Sequence, residues 1–449
     1  MSATDHGGPV NWYRIPIGRE NLSALNRKSD LKGGLQTVGY LAVLAATGTA
    51  AFWSAGHWPW YATAALLYLH GTCYAFLING FHELIHDSVF RTRPLNRLFL
   101  YVFSFLGWYN PVHFWASHTE HHKFTLHPPD DLEVVLPVKL TAKAFMESAV
   151  LNPLAMYYTL KTTVRHAAGR LEGQWEHHLF SESKPELRRQ MFNWARVLLV
   201  GHAAILAVAV YYRLWMLPVV VSLASFYGGA LQWLCNNAQH AGLRDNVPDF
   251  RLCCRTIYLN PVVQFLYWHM NYHTEHHMYA GVPCYHLGRL HRLIKDEMPP
   301  CPNGLVETWR QIIDILRRQK ADPTYQYAAP RAAAEDESGT PPCGGTRVRC
   351  VTTMAAAGGC TLLSCRVNRA KLRQACRGPH ASFPTTRHPG SDARAVSGSG
   401  PSVGGRRGRT GRSYRSPLRR RPAQRFGRGR LHTTRRTAPS PGGVGSPRS

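Results

Sequence analysis

His118-Thr119-Glu120-His121-His122 and His273-Thr274-Glu275-His276-His277 spell the same five letters, HTEHH, 155 residues apart. A third cluster, His82-Glu83-Leu84-Ile85-His86, begins 36 residues before the first copy. Residues three and four apart share one face of a helix. Each HxxHH therefore sets three imidazoles on one stripe, and HxxxH sets two. Eight imidazoles are too many for one tetrahedral metal and suit two metals with nitrogen ligands. The rest of the chain must bring the three stripes together.

Working outward, the clusters are flanked by apolar runs. Residues 35–54 carry no charge and are about 30 Å long as a helix, enough to cross a bilayer. Residues 59–80 form a second such run, and Trp53, Trp58, Trp60 and Tyr61 crowd the turn between them, as aromatic rings do at a membrane interface. Residues 193–212 and 214–235 predict a second hairpin around Arg213. Residues 98–112 are apolar but short. A single crossing there would separate His82/His86 from His118–His122, so an interfacial or re-entrant helix is expected, ended by Asn110-Pro111. Residues 123–192 read as short helices on the membrane surface. Basic residues flank the outer ends of both hairpins, which places both termini and every histidine cluster on the cytoplasmic side.

The expected architecture is an all-α integral membrane protein. Four transmembrane helices in two hairpins carry a cytoplasmic helical cap that holds the histidine-rich site. Residues 1–34 are a polar cytoplasmic lead-in without a signal-peptide pattern, and 35–326 are the membrane domain. Residues 327–449 differ abruptly. They hold 24 of the 53 Lys+Arg and 4 of the 26 acidic residues, leaving 29 and 22 in the body. The net charge of +27 therefore belongs mostly to a Gly/Pro/Ser/Arg-rich segment whose composition predicts disorder. That segment fits a solvated tail, a nucleic-acid- or lipid-binding arm, or coding foreign to the body, and no function is assigned to it. No nucleic acid is expected as a partner of the core. The eleven cysteines form no CxxC pair, consistent with a reducing compartment.

HELIH matches the zinc-peptidase pattern H-E-x-x-H. A zinc peptidase needs one further ligand and an open site, and leaves the two HTEHH copies unexplained. Carboxylate-bridged bundles use Glu-x-x-His twice, and only Glu83-x-x-His86 fits. Glu83, Glu120 and Glu275 are better read as acceptors for imidazole N–H groups. Asp87, Asp130 and Asp131 either share that role or cap helices. His113, His127, His269, His286 and His291 lie outside the stripes, and Trp175-Glu176-His177-His178 lacks a preceding histidine. All of these are expected to serve structure.

The three clusters and their order resemble the membrane fatty acid desaturase family, whose pattern is HxxxH or HxxxxH, then HxxHH, then (H/Q)xxHH. The resemblance covers about residues 35–300 and includes the closing phrase HTEHHMYAGVPCYHLGRLH. It implies two non-haem irons, with O2 as cosubstrate, held by His82, His86, His118, His121, His122, His273, His276 and His277. By position in NNAQH, the resemblance adds His240 as a ninth ligand and Asn236 as a residue holding an iron-bound water. The implied reaction removes hydrogen from neighbouring carbons of a fatty acyl chain, thioester or lipid-linked, within the membrane lipid. A hydroxylase or ketolase of the same superfamily is the alternative, with a membrane zinc peptidase more remote. No HPGG haem motif appears, so electrons are expected from a separate ferredoxin or cytochrome-b5-like donor. Arg244, Arg251 and Arg255 either dock such a donor or mark the cytoplasmic face.

Overall fold

The computed structural model describes residues 10–136 and 140–330, and among these the chain is helical, with only isolated β-bridges. Segment 327–449, apart from its first four residues, lies outside the described residues.

Helix α1, Asp30–Ser54, starts where the Ser29 side chain accepts from Lys32 N. It ends before Gly56, whose left-handed φ of +85° turns the chain back. Helix α2, Trp60–Ala75, continues past a break at Phe76 into α3, Leu77–Ile85. Together α2 and α3 make a 26-residue apolar rod long enough to cross a membrane. Trp53, Trp58, Trp60 and Tyr61 are exposed at the α1–α2 turn, as the interface reading requires.

The short apolar run 98–112 falls across two helices, α4, Arg93–Leu106, and α5, Pro111–Phe124. Their turn is deep in the bundle: Tyr74 Oη, on α2, donates to Leu106 O at 3.1 Å, and Trp108 Nε1 donates to Ser222 O at 2.8 Å. One detail differs from expectation. Asn110-Pro111 does not end α4 but opens α5, because the Asn110 side chain accepts from Val112 N and His113 N and Pro111 sits where no N–H is needed.

Helices α6, Pro153–Ala167, and α7, Gly173–Leu179, lead to α8, Pro185–Tyr212, the third helix long and apolar enough to span. It ends in exposed Tyr211 and Tyr212, which with exposed Trp215 just beyond the helix make a second aromatic fringe.

The fourth expected run, 214–235, is not one helix. It is split into Met216–Val220, a turn at Ala224–Phe226, and α9, Ala230–Asn237. The cause is a close crossing over α2. Gly228 (φ +69°) lies against the α2 backbone, where an added Cβ would stand 2.8 Å from Tyr68 O and 2.9 Å from Thr72 N. A Cβ at Gly71 would be 2.4 Å from Tyr227 O. Thr72 Oγ1 donates to the Gly228 carbonyl at 3.0 Å, replacing a helical bond that the break removes. Short helices α10, His273–Met278, and α11, Cys284–Ile294, complete the frame around the site.

Candidate metal centre

The three stripes converge. His82 and His86 close α3, His118, His121 and His122 lie on the last turns of α5, and His273, His276 and His277 form most of α10. His240 joins them from the turn after α9. Two sets have ligand atoms all within 4.8 Å of one another: His82, His86, His118, His122 and His276, and His240, Cys254, His273 and His277. His121 faces the second set, its ring centroid 5.0 Å from that of His277 and 5.4 Å from that of His240.

The nitrogens point inward. Nε2 of His118 is 2.7 Å from Nε2 of His82 and 3.0 Å from Nε2 of His122, which is 3.2 Å from Nε2 of His276. In the second set, His273 Nε2 is 2.9 Å from His240 Nε2 and 3.1 Å from His277 Nε2. Several of these atoms are bare lone pairs. His118 Nδ1 donates to Glu133 Oε1 and His121 Nδ1 to Asp131 Oδ2, each at 2.8 Å. His240 Nδ1 donates to the Cys253 carbonyl at 2.8 Å, and a carbonyl can only accept. With the Nδ1 proton fixed, Nε2 is left as a donor of electrons.

A metal fits this arrangement on two grounds. Ligands at about 2.1 Å from a metal and at right angles to one another lie about 3.0 Å apart, which is the spacing seen. His86 Nε2 is also a buried atom with no hydrogen-bond partner among the described residues. Burial, then mutual repulsion among the imidazoles, pushes His118, His122, His273, His276 and His277 well below the ordinary histidine range. Burial and His121 bring His240 to about 3. Neutral imidazole is the ligating form. His121 alone is raised: burial opposes protonation, but the Asp131 hydrogen bond and charge outweigh it.

Of the expected acceptors, Glu83 is in place, fully buried, with Oε1 3.2 Å from His82 Nδ1 and 3.5 Å from His276 Nδ1. Asp131 holds His121 and also accepts from Leu126 N and Glu133 N. Glu120 and Glu275 do not hold ligand imidazoles. Glu120 pairs with Lys123 at 2.9 Å, and buried Glu275 accepts from Thr256 Oγ1 at 2.5 Å and from His291 Nδ1. Glu120 is two residues past His118 and Glu275 two past His273, so each points off the metal-facing stripe. Asp87 ion-pairs with Arg93 away from the site. Asn236 is exposed on the last turn of α9, and among the described residues no hydrogen bond ties it to a site histidine.

Glu133 and Cys254 were not foreseen. Glu133 also accepts from Ser117 Oγ at 2.8 Å, and the signal for it was an acid alternating with Asp131. Nothing distinguishes Cys254 in sequence from its neighbour Cys253. Arg255 is buried and donates to Ala238 O and Ala241 O, bracing the His240 turn. Arg251 is held by Asp249, and Arg244 by Gln326. The outlying histidines are engaged elsewhere, His113 with Glu176, His127 with Thr125 O, His269 with Gln264, His286 with Leu25 O and His291 with Glu275. In the WEHH segment only Glu176 is buried, and it is bonded to Arg165 and His166.

A family model described as fatty acid desaturase matches residues 57–308, more than half of the chain and all three histidine clusters. No curated protein gives a match.

Proposed function

The chain belongs to the fatty acid desaturase family, and from that premise we propose that it carries out O2-dependent desaturation of a fatty acyl chain, thioester or lipid-linked. The observation that carries the reading is the inward convergence of nine imidazoles in two groups. His82, His86, His118, His122 and His276 would hold one iron, and His121, His240, His273 and His277 the other. Bound there, iron supplies the O2-derived oxidising power that an unactivated C–H bond requires. The protein's own part is orientation. Glu83, Asp131 and Glu133 orient imidazoles through their Nδ1 atoms, and burial opposes protonation of the ligands.

A cleft of about 490 Å3 next to the site supports an amphiphilic substrate. Its wall combines Trp108, Tyr109, Phe114 and Leu198 with Thr159 and Thr163. Phe114 stacks on His118 with ring centroids 4.9 Å apart, so it forms both the cleft wall and the floor of the first metal group.

The topology we propose keeps four crossings. Ligands come from both sides of α8 in sequence, so the broken stretch after Tyr212 must return the chain to the histidine face. Both termini and that face are cytoplasmic by the basic flanks. Two electrons come from a separate donor, a ferredoxin or a cytochrome-b5-like protein. Five imidazoles in one group do not suit a zinc peptidase, which uses three protein ligands and an open position.

The test is expression of the full chain in a desaturase-free host, with acyl chains converted to methyl esters and double bonds mapped by mass spectrometry. A new unsaturated acyl species, absent with His121→Ala, is expected. Hydroxylated lipids or modified carotenoids in its place would replace the desaturase reading with the hydroxylase or ketolase one.

A further inference from the structure

The polar lead-in has an unexpected place. Residues 10–17, outside any helix, lie against the metal centre and tie down three of the segments that supply it. Trp12 Nε1 donates to Lys123 O at 2.8 Å, one residue past His122. Tyr13 N donates to Pro248 O at 2.8 Å, in the loop that follows His240, and the Tyr13 ring lies 4.3 Å from the Arg251 guanidinium. Ile15 is buried, and its carbonyl accepts from Tyr279 Oη at 2.6 Å, two residues past His277.

Trp12 is the centre of this contact. Its indole stacks on Phe250 at 4.1 Å and 10°, and the Phe250 ring is 5.5 Å from that of His277. It also meets His127 edge-on at 5.3 Å. A cleft of about 440 Å3 opens onto His86, His122 and His277, and Val10, Trp12 and Arg14 form one of its walls. Arg14 and Lys123 both line it, so a divalent cation leaving by this route passes two positive charges.

We propose that Val10–Ile17 is a clasp that retains the metals, and that Trp12 is a positioning residue acting on His122 through Lys123 and on His277 through Phe250. The clasp spans the end of α5, the loop after His240 and the chain just after α10. A rigid bridge between them restricts the separations that would let imidazoles leave a metal. This rests on the two-metal reading.

The experiment uses the full chain in lipid nanodiscs, loaded with ferrous iron, and follows iron release to ferrozine together with thermal unfolding. Trp12→Ala should release iron about tenfold faster or more, the scale for lost support of a ligand. Trp12→Phe, which keeps the stack but not the N–H bond, should restore only the part of the retention that the Phe250 stack carries. Trp194→Ala removes a comparable indole bond, to Tyr109 O at 2.8 Å, near the start of α5 and away from the clasp. It should leave the release rate near that of the unaltered chain. Release unchanged in Trp12→Ala, or accelerated equally by Trp194→Ala, would overturn the proposal while leaving the metal reading intact. An unaltered chain that binds no iron would instead remove the premise.

Discussion

The two HTEHH copies have identical letters and opposite assignments. In the first, the i, i+4 pair His118/His122 belongs to the five-histidine group and His121 crosses to face the other. In the second, the pair His273/His277 belongs to the His240 group and His276 crosses back. Each copy therefore contributes to both groups, and neither group is complete without both copies. The glutamates differ as well. Glu120 sits on the outer face with Lys123, whereas Glu275 is fully buried between Thr256 and His291. A repeated phrase sets a local stripe, but its surroundings decide what each residue does.

The crossing residues give the largest expected effects. His121→Ala and His276→Ala should each lower product formation by more than about 100-fold, since a ligand is worth at least what its supporting residues are. Full activity in either would break the shared-centre picture. Asp131→Asn and Glu133→Gln should come next, weakening metal binding by about 10- to 100-fold in a competitive titration, because each replaces the charged oxygen that an imidazole N–H faces with a neutral amide. The glutamates then sharpen the comparison. Glu275→Gln should cost about 1–3 kcal/mol in thermal unfolding, as a buried network loses a partner. Glu120→Gln should change stability by less than about 1 kcal/mol, as for an exposed ion pair. Equal effects would mean the two copies share more of their environment than the structure shows. The smallest effect belongs to His178→Ala, an exposed ring stacked on Trp175, which should leave activity near that of the unaltered chain.

The eight histidines of the three clusters were legible because metal ligation demands a fixed residue type at fixed helical spacing, whereas His240 came only from the family resemblance. Three of the four apolar runs were equally legible, since length and lack of charge suffice to mark a spanning helix. The stretch 214–235 was not, because its break depends on Gly228 meeting the α2 backbone, a contact remote in sequence. Glu133 was hidden because its role depends on the turn that brings residues 131–133 back to α5. The contacts of the lead-in were not legible for a related reason. Trp12 and Ile15 show no helical or strand period, yet tertiary contact makes one a wall of the centre and buries the other. Asn236 came only from the family resemblance, and it is exposed on the last turn of α9.

The most direct test is the metal content of the purified full chain, measured by elemental mass spectrometry against protein concentration. About two irons per chain, falling in both His121→Ala and His276→Ala, is the predicted result. Zinc near one per chain, or iron unaffected by either substitution, would contradict a centre built jointly by the two copies.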